Sequence, residues 1–230
     1  MHVGVDGCAD GWVAVIDGGR QLAVAVVPNL AALLERVGDA AIIAIDVPVG
    51  LTAVGARDCD LAARHLLRGP RARSVFPAPV RACLLARDYA GACAAHHRAD
   101  GRRLSRQTFG ILPKIRDVDR LLSRDPQLQR RIREVHPEVS FARWNGGRPM
   151  AHRKTEHAGR IEREALIDAT WPGERERLRH AIRGCRCKPD DLNDAFAALW
   201  TARRMRDRKA VVLPASPPKD GRGLRMEIVG

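Results

Sequence analysis

Four aspartates in this chain stand where carboxylates can do metal chemistry. Asp6 closes the short apolar run His2-Val-Gly-Val-Asp6, and Asp46 closes a longer one, Ala41-Ile-Ile-Ala-Ile-Asp46. A carboxylate that ends an apolar strand is costly unless it is exposed, paired or bound to a cation. Asp191 and Asp194 are three residues apart, which puts both on one face of a helix. Glu138, in Val135-His-Pro-Glu-Val-Ser-Phe141, is a fifth acid inside an apolar stretch. Such acids, gathered at one point, repel one another and need cations, and hard oxygen ligands suit Mg²⁺ or Mn²⁺. Two ions about 4 Å apart can activate a water and stabilise the leaving oxygen of a phosphodiester. That chemistry draws acids from several elements and needs no nucleophilic side chain. The glycine-rich dinucleotide fingerprint, the Walker A loop and the Gly-x-Ser-x-Gly elbow are all missing.

Each acid also has an ordinary reading. Asp6-Gly7 and Asp46-Val-Pro48 are common turn starters. Acids in a helix's first turn cap it and offset its dipole, although Asp190 is well placed for that task and leaves Asp191 and Asp194 free. Pro137 argues for an edge or a bulge, where Glu138 would face water.

The elements that must position these acids follow from the apolar spacing. His2–Asp6, Trp12–Asp17 and Gln21–Val27 read as three strands, the last two joined by an Asp17-Gly18-Gly19 turn. Asn29 can cap a helix over Leu30–Val37, which Gly38 stops. Ala41–Asp46 is uninterruptedly apolar, as a strand buried on both faces requires. A right-handed crossover sets that fourth strand parallel to the first, so Asp6 and Asp46 meet at one sheet edge. This is the opening of the RNase H-like α/β fold, a mixed sheet with a three-strand antiparallel meander, further parallel strands and helices on both faces. Residues 51–130 read as a helical insertion, with periodicity over Arg57–Leu67, Arg81–His97 and Pro113–Ser123. Arg131–Phe141 reads as a strand, 155–169 and 172–183 as helices, and Pro189 starts a last helix reaching Arg206. Ala195, Ala198 and Ala202 continue the face of Asp191 and Asp194, so this helix can lie close to a sheet. Leu224–Val229 reads as an edge strand. One domain spanning 1–230, with the insertion, is the expected organisation.

The chain carries 40 basic and 27 acidic residues, a net charge of +13. An excess of this size attracts polyanions, of which nucleic acid, DNA or RNA, is the usual one. Arginine dominance also follows from a GC-rich coding sequence, so charge alone leaves both readings open. No apolar run of about 18 residues is present, which excludes a spanning helix. The N-terminus lacks a basic flank and an apolar signal core, so the expected location is the cytoplasm. The six scattered cysteines read as free thiols, because Cys185-x-Cys187 has the wrong spacing for the usual zinc pair. No obligate protein partner is evident.

Gly4-Val-Asp6-Gly-Cys with Gly11-Trp12, Ile45-Asp46-Val-Pro-Val-Gly-Leu51, Ser74-Val-Phe-Pro-Ala-Pro79, Pro113-Lys-Ile115, His136-Pro-Glu-Val-Ser-Phe141, Asp191-Leu-Asn-Asp194-Ala and Gly223-Leu-Arg-Met-Glu-Ile228 occur in order. Together they resemble an uncharacterised family, domain of unknown function 429, predicted to be RNase H-fold nucleases. The acids are also similar to those of Holliday-junction resolvases of the RuvC type, in which acids on strands one and four and a D-x-x-D helix bind metal. The resemblance implies a metal-dependent nuclease hydrolysing DNA or RNA by a two-metal-ion mechanism. Asp6, Asp46, Asp191 and Asp194 would be its ligands, with Glu138 a further catalytic acid. The strand-four acid is Asp where the resolvase has Glu, which shortens its reach. Arg73, in the inserted region, is a candidate phosphate contact, as are Gln107, Lys114 and Lys154 in or near the family motifs; exposed surface residues are their ordinary reading. Hydrolysis of a small phosphate ester or nucleotide, and non-catalytic nucleic-acid binding, are the alternatives.

Overall fold

Side chains alternate along a strand, and in the first strand that alternation separates core from site. The computed structural model describes residues 1–230. Its strand β1 (His2–Cys8) sends Val3 and Val5 into one apolar cluster and leaves Gly4 and Asp6 on the opposite face. β2 (Gly11–Asp17) and β3 (Leu22–Val27) complete the antiparallel meander. Helix α1 (Leu30–Val37) is capped by Asn29, whose side chain accepts from Ala32 N, and ends at Gly38 with φ 68°. It leads to β4 (Ile42–Ile45), parallel to β1 with Val3 opposite Ile43 and Val5 opposite Ile45. β5 (Ile132–Glu134) adds in parallel beside β4, giving the order β3-β2-β1-β4-β5. This mixed five-stranded sheet is the RNase H-like α/β arrangement expected from the apolar pattern.

The segment between β4 and β5 is helical: α2 (Asp58–Leu67), 3₁₀ turns over Gly69–Ser74 and Arg81–Leu85, α3 (Tyr89–Asp100), α4 (Arg106–Gly110) and α5 (Leu112–Arg124). Leu30 and Leu33 of α1 and Ile115, Val118 and Leu122 of α5 pack with Val3, Val5, Ile43 and Ile45 on one face of the sheet. Asp117 ties these parts together, accepting from Trp12 Nε1 at 2.8 Å and from Leu30 N at 3.0 Å.

The other face is covered by α6 (Pro137–Trp144), α7 (His157–Thr170), α8 (Glu174–Ala181) and above all α9 (Pro189–Arg206). Here α9 presses onto β1. A Cβ on Gly4 would lie 2.0 Å from Leu199 N and 2.1 Å from Ala195 O, so only glycine lets the helix come this close. Ala195, Ala198 and Ala202 are fully buried, which is the close-packing face their spacing suggests. A second pair, β6 (Val212–Leu213) and β7 (Ile228–Val229), closes the chain, with Val229 bridging to Val135. No helix is long and apolar enough to cross a membrane.

Four expectations need correction. The strand over Arg131–Phe141 stops at Glu134, and α6 begins at Pro137. Proline has no N–H for the ladder but costs nothing at the first helical position. Arg81–His97 is not one helix: Asp88 accepts from Gly91 N at 2.7 Å and starts α3 afresh. Ser105 likewise caps the short α4 inside a stretch read as loop. The Leu224–Val229 strand shrinks to Ile228–Val229.

Candidate metal centre

Parity places two of the acids. Asp6 is two residues beyond Gly4, and Asp46 two beyond Ala44, which packs against Ala198 and Ala202. Both carboxylates therefore face α9. Asp46 N donates to Val5 O at 2.9 Å, which fixes the two strand ends side by side. From above, α9 supplies Asp194, whose side chain is only 2% exposed. One carboxylate oxygen from each of Asp6, Asp46 and Asp194 lies within 4.8 Å of the others. Opposite ligands around an ion with bonds of about 2.1 Å are about 4.2 Å apart, so this span suits a small hard cation.

The electrostatics record the crowding. Asp6 is held well above the usual carboxylate range by burial, then by the charges of Asp46 and Asp194. Burial and Asp194 push Asp46 up to about 8. Gly7 N donates to Asp6 Oδ1 at 2.6 Å, and Lys154 Nζ reaches Asp194 Oδ2 at 2.5 Å. Asp194 Oδ1 is buried without any hydrogen-bond partner. An orphaned buried carboxylate oxygen is costly and is satisfied by a cation.

The remaining predicted residues fall around this trio. Asp191 is one turn nearer the start of α9, and its Oδ2 accepts from Lys188 N at 2.8 Å. It thus performs the capping task read for Asp190, because a carboxylate at the third helical position reaches back to the N-cap N–H. Burial raises its pKa. Glu138 lies in the first turn of α6, and its two oxygens are bound by Arg163, Oε1 from Nε at 2.9 Å and Oε2 from a terminal nitrogen at 2.7 Å. It is not one of the three converging acids, though its charge is near enough to act on Asp46. Lys114 donates to Gly11 O, lies 4.9 Å from the Trp12 ring, and packs its stem over Gly7 beside Asp6. Lys154 is in the centre itself. Arg73, in the 3₁₀ turn after α2, and Gln107, on α4, are exposed and make no hydrogen bond to the trio.

Two participants escaped the sequence reading. Buried Arg57 binds both oxygens of Glu134 at 2.7 Å, pairs with Asp60 at 2.6 Å and donates to Val49 O and Gly50 O. Glu134 also accepts from Val49 N at 2.6 Å. This network pins the Val47–Gly50 loop that follows Asp46. Burial lifts Glu134 to about 7, against the pull of Arg57. No local signal marks a pair 77 residues apart. The second is His136, the N-cap of α6, where its Nδ1 is buried and unpartnered and burial lowers its pKa. The charges that act on it are those of Glu138, Asp194 and Lys154, which the docking of α6 and α9 brings near.

Fold and centre together define an RNase H-like α/β protein with an acidic trio at one end of its sheet, Asp6 and Asp194 buried and Asp46 half-buried. The chain belongs to the family described as protein of unknown function (DUF429), which its residues 4–219 match. That match ends short of the Gly223–Ile228 motif. Neither the curated proteins nor the solved structures contain a match to it.

Proposed function

We propose that this protein is a divalent-metal-dependent phosphodiesterase acting on DNA or RNA. The observation that carries the reading is the convergence of Asp6, Asp46 and Asp194, with Asp194 Oδ1 buried and unsatisfied. All three ligands are hard oxygens, which fits Mg²⁺ or Mn²⁺. When bound, such an ion supplies charge stabilisation to a phosphoryl group in transfer and eases the deprotonation of water. The protein's own share is positioning. The β1 and β4 ends and α9 hold the three carboxylates, the Arg57–Glu134 network fixes the loop behind Asp46, and α9 shields the trio from bulk water. Lys114 brings positive charge to the rim and Lys154 to the centre itself. Arg179, His180, Arg183 and Lys188 line a cleft at the first turn of α9, and none of them is in an ion pair with an acid. Together with the net charge of +13, this basic surface supports a polyanionic substrate.

The test is cleavage of labelled single- and double-stranded DNA and RNA with Mn²⁺, comparing wild type and Asp6→Asn from matched preparations. Wild type should leave 5′-phosphate and 3′-hydroxyl ends, and the variant should lose activity by orders of magnitude. Binding should weaken steeply with salt. Equal cleavage by the two proteins refutes the assignment. Cleavage confined to nucleotides or small phosphate esters would move the substrate class and keep the centre.

A further inference from the structure

We propose that Lys154 is the second cation of this centre, so that the carboxylates hold one divalent ion and not the two that the acid count implied. The inference rests on the metal reading above and specifies it. Lys154 Nζ lies 2.5 Å from Asp194 Oδ2, while Asp194 Oδ1 stays unpartnered. One oxygen of the α9 acid is thus taken by an ammonium and the other is left for a metal.

The supply of ligands agrees. Five acids were candidates, but Glu138 is bound through both oxygens by Arg163, and Asp191 spends one oxygen on the helix cap. Three carboxylates converge, and once ionised to hold a metal they carry three negative charges. One divalent ion and one ammonium supply three positive charges and balance them. Two divalent ions beside the same ammonium would leave an excess of two positive charges in a buried site, which a low-dielectric setting disfavours.

The backbone around Lys154 is fixed in place. Ala151 N and His152 N donate to the Glu162 carboxylate at 2.7 and 3.1 Å. Arg163 donates to His152 O at 3.2 Å while it grips Glu138. Gly159 packs beneath Arg153, where a Cβ would lie 1.9 Å from Arg153 O. A chain of contacts therefore runs from Glu138 through Arg163 to residues 151–154 and on to Asp194. Glu138 and Arg163 are positioning residues for the lysine, which accounts for an acid that sits near the centre without joining it.

Mn²⁺ binding to chelator-stripped protein tests this by titration calorimetry, with the number of ions confirmed by the electron paramagnetic resonance of the bound manganese. Wild type should bind one ion per chain. Lys154→Met should bind a second ion, or bind the first about tenfold or more tightly, because a competing charge a few ångströms away is gone. The lysine side chain is 43% exposed, so the variant should fold, as circular dichroism will show, and Lys154→Gln replaces it if it does not. Two ions in wild type, or a variant with no gain in number or affinity, overturns the role of Lys154 and leaves the metal reading intact. No Mn²⁺ bound by either protein overturns both.

Discussion

Removing the charge of Asp46 should stabilise the metal-free protein, and increasingly so as pH rises. Burial and the neighbouring Asp194 push this carboxyl up to about 8 from an ordinary value of 3.8. The folded value lies above the unfolded one, so the folded chain holds the extra proton. Its contribution to stability is complete below the unfolded value and is lost as pH rises through the folded value. Each pH unit in that window weakens folding by about 1.4 kcal/mol, a ceiling of about 4 kcal/mol between pH 5 and 8. Asp46 is only partly buried, so solvent screening brings the figure to about 2 kcal/mol. For a chain of this size that corresponds to about 4–8 °C in Tm. The assay is thermal unfolding of wild type and Asp46→Asn in chelator across that range. The lead of the variant over wild type should widen by that amount from pH 5 to 8. Glu134, pushed up to about 7, titrates in both proteins, so only its coupling to Asp46 enters the difference. Saturating Mn²⁺ should reverse the order, since only wild type keeps the full ligand set. A lead that stays flat or shrinks as pH rises refutes the reasoning.

Gly4→Ala should cost about 3 kcal/mol or more, the upper end of overpacking, because its new methyl would meet the α9 backbone and no flexible side chain can yield. Since α9 carries Asp194, the Tm gain on adding Mn²⁺ should shrink as well, and a variant that melts like wild type contradicts the close approach. Arg163→Met leaves Glu138 buried and unpaired and should cost about 3–5 kcal/mol in urea unfolding. Adding Glu138→Gln to that variant should restore part of the loss; no restoration would mean that Arg163 acts through its bonds to His152 O and Gly159 O alone.

Much of this architecture is legible in local spacing. The apolar runs of β1, β2, β3 and β4, the Asn29 cap and the crossover through α1 each follow from interactions within a few residues. From them came the adjacency of Asp6 and Asp46. The Ala195-Ala198-Ala202 face announced a tight helix-on-sheet contact for the same reason: small residues at a regular period leave room for a backbone. Where two local readings competed over Val135–Phe141, the sequence alone favoured the wrong one. Val135–Phe141 looked like an interrupted strand because its apolar residues alternate, but Pro137 costs a ladder hydrogen bond in a strand and nothing at the start of a helix. Asp191 looked free for metal, yet its carboxylate also reaches the Lys188 N–H three residues back. The charge pairs lay out of reach altogether. Arg57 meets Glu134, Arg163 meets Glu138 and Lys154 meets Asp194 across 77, 25 and 40 residues of chain. No periodicity encodes such pairings, because they arise only when separate elements dock and a desolvated charge must take whichever partner the packing brings within reach.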